Sequence, residues 1–231
     1  MAKKIMLPVL DDRLMLIASM VREGAVPLDV GTDHAYVAIY LAKKGVAEKI
    51  IAADIKKGPL MQADKNISLF EVSDRIETRL SNGFEKIGQG EVECAIIAGM
   101  GGETIAEILE NEKGCRYFVL QMQTGHSHLR DYLIKNGYII CDEAVCREDR
   151  KMYTALLAMR GESRQFTDAE KEIGPVLIEK RPPLFYDYVR YRLYEIDTIL
   201  KNMKDSTSGR KEYILYLKNE YDKLLKEEQN G

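Results

Sequence analysis

The chain has 231 residues, of which 45% are hydrophobic and 31% charged, with a formal net charge of −3. This composition supports a substantial core and excludes an intrinsically disordered chain, and the length suits one full α/β domain with an appendage. The charge is balanced on both sides of Arg160, so composition gives no support for a nucleic-acid partner, and any such contact needs a local basic patch.

The start, MAKKIMLPVLDDR, is not read as a secretory signal, because Pro8 and two aspartates break its short apolar stretch. No later apolar run approaches the roughly 18 residues that span a bilayer. A cytoplasmic protein is expected, acting as a monomer. Leu14, Ile17, Ala18 and Val21 then fall on one face of a helix that Gly24 should end. Strand-like apolar runs follow at 25–30, 49–54, 75–80, 93–98 and 117–121. Helical faces alternate with them: Val37, Tyr40 and Leu41; Leu60, Ala63 and Ile67; Ile105, Ile108 and Leu109; Leu129, Tyr132 and Leu133, closed by Asn136-Gly137. The alternation predicts βαβ units and a parallel sheet covered on both faces. After Gly137 the pattern changes to two strand-like runs, YIICDEAVC and MYTALLAMR, joined only by REDRK at 147–151. Five parallel strands closed by an antiparallel hairpin is the class I methyltransferase variant of the Rossmann architecture, and we place that domain at residues 1–160. In 161–231 a helical hairpin is expected. Val189, Leu193, Ile196, Leu200 and Met203 form a heptad seam, Ile214, Leu217, Tyr221 and Leu224 repeat it, and KDSTSGR at 204–210 forms the turn. A tail packed on the main domain is the competing reading.

The four cysteines, Cys94, Cys115, Cys141 and Cys146, have no CxxC spacing and read as small buried thiols. No metal site is expected: His126 and His128 diverge by about 200° on a helix, and His34 stands in a strand-to-helix turn.

That turn is the first candidate site. In LDVGTDHAY, Asp29 and Gly31 stand where an S-adenosylmethionine site needs them, with Thr32 and His34 beside them. Glycine lets the backbone approach the ligand, and helix N-terminal amides face its carboxylate. Asp33 and Ala35 occupy positions where further glycines would complete the usual fingerprint. Asp54 ends the second strand, where a carboxylate can accept both ribose hydroxyls of a nucleoside or a dinucleotide. Asn82-Gly83, past the third strand, could set an amide against an adenine ring. At the end of the fourth strand, AGMGGETI brings Ala98, Gly99, Met100 and Gly101 to the ligand crevice, and its three glycines imply close approach by a substrate. An Asn/Asp-Pro-Pro-aromatic motif, which holds an exocyclic amine, is absent here.

Taken in order, DDRLMLIASMV, LDVGTDHAYVAIYL, KKGPLMQADKNI, RLSNG, IIAGMGGETI, LRDYLIKNGY and REDRKMY resemble the bacterial tRNA (adenine-22-N1)-methyltransferase family over most of the chain. The resemblance implies S-adenosylmethionine as cofactor, tRNA as partner and adenine N1 as acceptor. Two departures stand out: Gln121-Met122-Gln123 where the family has Gln-Pro-Asn, and Asp54 where it often has Glu. Adenine N1 carries a free lone pair, so no strong general base is required. Asp33 is the expected group beside the developing positive charge, and Tyr36 or Met100 lines the base pocket. Arg13, Tyr36 and Gln121 are expected at the substrate, and Arg181, Arg190 and Arg192 at tRNA phosphates. Three other readings stay open on sequence: a methyltransferase for a small molecule or protein, a nicotinamide-dependent oxidoreductase using Asp54, and a catalytically silent RNA-binding module.

Overall fold

The computed structural model describes residues 6–203 and 208–228. The extreme N-terminus (1–5) and most of the expected turn at 204–210 lie outside the described residues.

The five parallel strands form where the apolar runs predicted them: β1 (Pro27–Val30), β2 (Ile50–Asp54), β3 (Ile76–Leu80), β4 (Cys94–Gly101) and β5 (Tyr117–Thr124). Then β6 (Tyr138–Glu148) and β7 (Lys151–Arg160) close the sheet, in the order β3-β2-β1-β4-β5-β7-β6, with β7 antiparallel to both neighbours. The hairpin connection is tighter than expected. Both strands run into REDRK, and Asp149 at φ 53° makes the reversal.

Alternation within the strands divides them between two cores, as the pleat requires. Ile50, Ala52, Ile96 and Val119 face one side, under α1 (Asp12–Ser19), α2 (Tyr36–Lys44) and α3 (Lys57–Leu69). Ile51, Ala53, Ala95, Ile97, Phe118 and Leu120 face the other, under α4 (Gly102–Leu109) and α5 (His126–Lys135). Helix α1 stops at a Met20 cap rather than at Gly24, whose left-handed φ of 79° instead turns the loop into β1. Two of the cysteines depart from expectation. Cys94 and Cys115 are buried, but Cys141 is exposed and Cys146 half-buried, because both lie on β6, the outer strand of the sheet.

Beyond β7 come α6 (Asp168–Ile173), α7 (Pro175–Lys180), α8 (Phe185–Asn202) and α9 (Ser208–Glu228). The heptad residues do meet, with Val189, Ile196, Ile214, Leu217 and Tyr221 in a third core. That core also contains Met152 of β7 and Ala169, Ile173 and Leu177 of α6 and α7, so the hairpin is rooted in the sheet domain. A fully buried ion pair strengthens the root. Arg130 on α5 meets Glu143 on β6 at 2.8 Å, both side chains at 0% exposure. Arg130 also donates to the Lys171 carbonyl at 2.6 Å, and Glu143 accepts from the backbone N–H of Val176 at 2.8 Å and of Leu177 at 3.2 Å. Glu143 therefore caps α7, and its carboxylate, which would be costly to bury alone, has hydrogen-bond partners on both oxygens. No described helix is long and apolar enough to cross a membrane.

Candidate functional site

The carboxyl ends of β4, β1, β2 and β3 lie side by side in that order, so residues distant in sequence face one crevice. At its β1 end the chain turns through three left-handed positions, Gly31 (φ 70°), Asp33 (φ 48°) and Ala35 (φ 58°). The backbone N–H groups of Gly31 and Thr32 both donate to the Ala53 carbonyl, at 2.8 and 3.0 Å, which ties the turn to β2. Buried Asn66 donates its amide to the His34 carbonyl at 2.9 Å and ties the same turn to α3. Sequence reasoning missed Asn66, although a polar residue between Ala63 and Ile67 on an apolar helix face was the available signal.

The turn, β1 and the end of β4 enclose a cavity of about 280 Å³. Asp29, Gly31, Thr32, Asp33, His34, Tyr36, Ala98, Gly99 and Arg13 line it, which brings together half of the predicted site; Met100 and Gly101 are not among the wall residues. Leu14, Val30, Val37 and Ile96 complete the walls and were not foreseen; they are ordinary apolar residues until the fold places them. Glycine at 31 is required twice: its φ is left-handed, and a Cβ there would come within 2.4 Å of the Met100 methyl. Asp29 is buried, and its carboxylate accepts from the Thr32 hydroxyl at 2.6 Å. Burial pushes its carboxyl up to about 6; the Thr32 hydrogen bond opposes this and the charge of Asp54 adds to it. Asp33 is exposed, with the His34 imidazole 3.5 Å away, and the His34 and Tyr36 rings stack at 5.5 Å.

Asp54 lies one strand over, 9% exposed, and accepts from the Lys56 backbone N–H at 2.8 Å. Asn82 and Gly83 lie one strand farther still, outside the walls of the cavity. Asn82 is turned to Glu85 at 3.0 Å, and Gly83 is a packing glycine, since a Cβ there would stand 2.9 Å from Ile108. On the other flank Gln121 is fully buried and organises the site without lining it. Its Oε1 accepts from the Gly99 N–H at 3.1 Å and from Arg13 Nη1 at 3.3 Å, while its amide donates to the Met122 carbonyl at 2.7 Å. The unusual residues that follow divide: Met122 is buried at 2% and Gln123 is exposed. The glycines of AGMGG divide too. Gly99 (φ 76°) opens onto the cavity, whereas Gly102 is needed because a Cβ there would strike the Gly125 carbonyl oxygen at 2.2 Å.

The three arginines expected at tRNA phosphates are engaged within the protein. Arg192 is paired with Glu172 at 3.0 Å and Glu195 at 3.1 Å, its side chain only 14% exposed. Arg190 is paired with Glu228 at 2.6 Å and Asp187 at 3.1 Å, and Arg181 is bonded to Glu227. Asp187 and Glu195 are i,i+3 neighbours of Arg190 and Arg192 on α8, but sequence order could not show Glu172, Glu228 and Glu227, which lie 20, 38 and 46 residues away.

The crevice fits a small cationic nucleoside. Asp29, Asp33 and Asp54 supply negative charge along it, and Gly31 and Gly99 leave room where side chains would intrude. Comparison with known proteins gives this chemistry its family. Residues 10–156 match the model of the methyltransferase domain. The tRNA (adenine(22)-N(1))-methyltransferase of Bacillus subtilis strain 168 is 34% identical over 185 residues, covering 76% of this chain and 78% of that one. The crystal structure of the B. subtilis M1A22 tRNA methyltransferase TrmK superposes with a TM-score of 0.81 at 28% identity, covering 94% and 99% of the two chains. The M. capricolum TrmK structure, in complex with the cofactor product S-adenosyl-homocysteine, gives 0.76 at 27% identity over 95% and 97%. The chain therefore belongs to the tRNA (adenine(22)-N(1))-methyltransferase family of class I, S-adenosylmethionine-dependent enzymes.

Proposed function

We propose that this protein transfers the methyl group of S-adenosylmethionine to N1 of adenine 22 in tRNA, and that the crevice along β4, β1, β2 and β3 holds the donor. The observation that carries the reading is the 280 Å³ cavity in which a buried carboxylate, a left-handed turn and a glycine of β4 converge. Gly31 and Thr32 sit where the methionine part of the donor would lie. Asp54 accepts the ribose hydroxyls, and Asn82-Gly83 borders the adenine. The donor methyl faces the segment Ala98 to Gly101, and the acceptor base enters beside Tyr36 and Met100.

Transfer breaks the sulfur–methyl bond as the N1 lone pair forms the new one, so the ring becomes cationic while the sulfonium charge is lost. No proton leaves in that step. The protein's task is to align nucleophile, methyl and sulfur and to meet the positive charge as it moves. Asp33, exposed at the cavity mouth, is the carboxylate for that second task. Because N1 lies on the pairing edge, the base must be unpaired or flipped out before it can react.

The test is nucleoside mass spectrometry of transcribed tRNA incubated with the protein and labelled donor. One-methyladenosine at position 22 is expected, and methyl-labelled tRNA without 1-methyladenosine overturns the assignment. Asp33→Asn should lower turnover by about 100- to 1,000-fold with donor affinity kept. A parallel fall in donor affinity would make Asp33 a donor ligand instead.

A further inference from the structure

A second recess opens beside the first. Hollows of about 230 and 610 Å³ share Gln123, His126, Tyr191, Arg192 and Glu195, so they form one groove between the β5–α5 turn and α8. Its size is within the range of about 300–1,000 Å³ typical of small-ligand sites. At the near end stands Tyr153, whose ring lies 5.8 Å from the guanidinium of Arg13, a wall of the donor cavity. The groove therefore begins where the donor cavity stops. At the far end Tyr194 is 70% exposed, more than any other tyrosine or phenylalanine among the described residues, and its face is free to take a flat partner.

The groove's chemistry distinguishes between occupants. Glu172 and Glu195 border it, and the single charge of Arg192 between them leaves the cluster negative. An anion gains nothing there. Burial, together with the charges of Arg192 and Arg130, holds the His126 imidazole well below its usual range, so it presents a neutral ring. Thr154, 1% exposed on the groove wall, has a hydroxyl without a partner among the described residues. A flat, neutral ring bearing N–H donors suits this lining. Anion-binding charge sits instead on the lip. Arg150 and Lys151 flank Tyr153, and neither makes an ion pair among the described residues. On the same turn Arg147 is paired with Asp187, and Glu148 accepts the Arg13 backbone N–H. Glu148 and Asp149 equal the two cations in number, so the lip offers two cationic side chains without an ion-pair partner among the described residues rather than a net positive charge.

We propose that this groove takes one nucleotide of the tRNA next to the methylated adenine, its base laid against Tyr194 and its flanking phosphates on Arg150 and Lys151. The proposal rests on the tRNA-methylating reading above. It moves the phosphate contacts from the paired arginines of the hairpin to the β6–β7 turn. It also gives Gln123, the exposed residue of the unusual 121–123 sequence, a place in the groove rather than in the donor cavity.

The test measures tRNA binding directly on the full chain, with methylation kinetics alongside and S-adenosylhomocysteine affinity as the check on folding. Tyr194→Ala should weaken tRNA binding by about 10-fold, within the range for losing one stacked base, without changing the salt dependence. Tyr194→Phe should restore it. Arg150→Ala combined with Lys151→Ala should lower the slope of log affinity against log salt by about 1.4–1.8, as expected for two phosphates. Wild-type tRNA affinity in Tyr194→Ala overturns the proposal, and so does an equal loss in Tyr194→Phe. A change in self-association with tRNA affinity intact assigns the exposed tyrosine to a second copy and also overturns it. Because binding is read apart from chemistry, a wild-type protein that binds tRNA but makes no 1-methyladenosine defeats the functional reading and leaves this test standing.

Discussion

Asp29 should couple donor binding to pH, and the coupling can be worked from its surroundings. The carboxyl is buried under the donor cavity and raised from its ordinary 3.8 to about 6. A bound sulfonium and ammonium favour the ionised form, so donor binding releases a proton wherever the free protein holds one. If the bound carboxyl returns near 3.8, the free protein is about one-eleventh ionised at pH 5 and ten-elevenths at pH 7. Donor affinity should then rise about 10-fold between those values, equivalent to about 1.4 kcal/mol. For folding of the free protein the sign is reversed. A raised carboxyl favours the folded state at low pH, and that contribution is lost as pH rises through about 6. Asp29→Asn should therefore stabilise the free protein above pH 7 by at most about 3 kcal/mol and be nearly neutral near pH 4. Calorimetry with S-adenosylmethionine at pH 5, 6 and 7, in buffers of different ionisation enthalpy, reads both affinity and proton release. His34→Asn controls for the neighbouring imidazole. A pH slope that survives in Asp29→Asn, or a flat wild-type profile, refutes the linkage.

Two further outcomes follow from other residues. Asp54→Ala should lose about 1.5–3 kcal/mol of donor affinity, the worth of hydrogen bonds to a charged acceptor, and unchanged calorimetric affinity would remove Asp54 from the site. Glu143→Ala strands Arg130 in a fully buried position and uncaps α7, so denaturant unfolding should show a loss of about 3–5 kcal/mol. A loss under 1 kcal/mol would mean that the helical appendage is held by its apolar core alone.

The parallel strands were legible because strands buried on both faces read as apolar runs, and Gly31, Asp54 and AGMGG were legible because each follows such a run. What escaped the sequence shares a different physical character. The helices α6 and α7 have 6 residues each, too few to show a periodicity, so the hairpin's attachment to the sheet was hidden. The arginines of 181–192 carried a visible charge; Asp187 and Glu195 stand at i,i+3 spacing from two of them and were legible, but Glu172, Glu227 and Glu228 are brought in by packing. Gly102 looked like a ligand glycine, when its missing side chain in fact admits the Gly125 carbonyl. The groove of Gln123, Tyr191 and Tyr194 joins segments some 70 residues apart, and no local pattern foreshadows it.

Where a glycine-rich loop would be flexible, this chain places Asp33 and Ala35 in left-handed backbone, and Ala35 is wholly buried. For a residue with a Cβ that conformation costs about 1–2 kcal/mol, and the neighbouring bonds from Ala53 and Asn66 are what hold it. The unbound turn then has little freedom left to lose. Donor binding can proceed with a small entropic penalty for ordering the loop, so its enthalpy should translate more directly into affinity. The same stiffness limits what the turn can accept. A loop of glycines could reshape itself around a bulkier donor, whereas this one must exclude it or be unfolded locally to admit it.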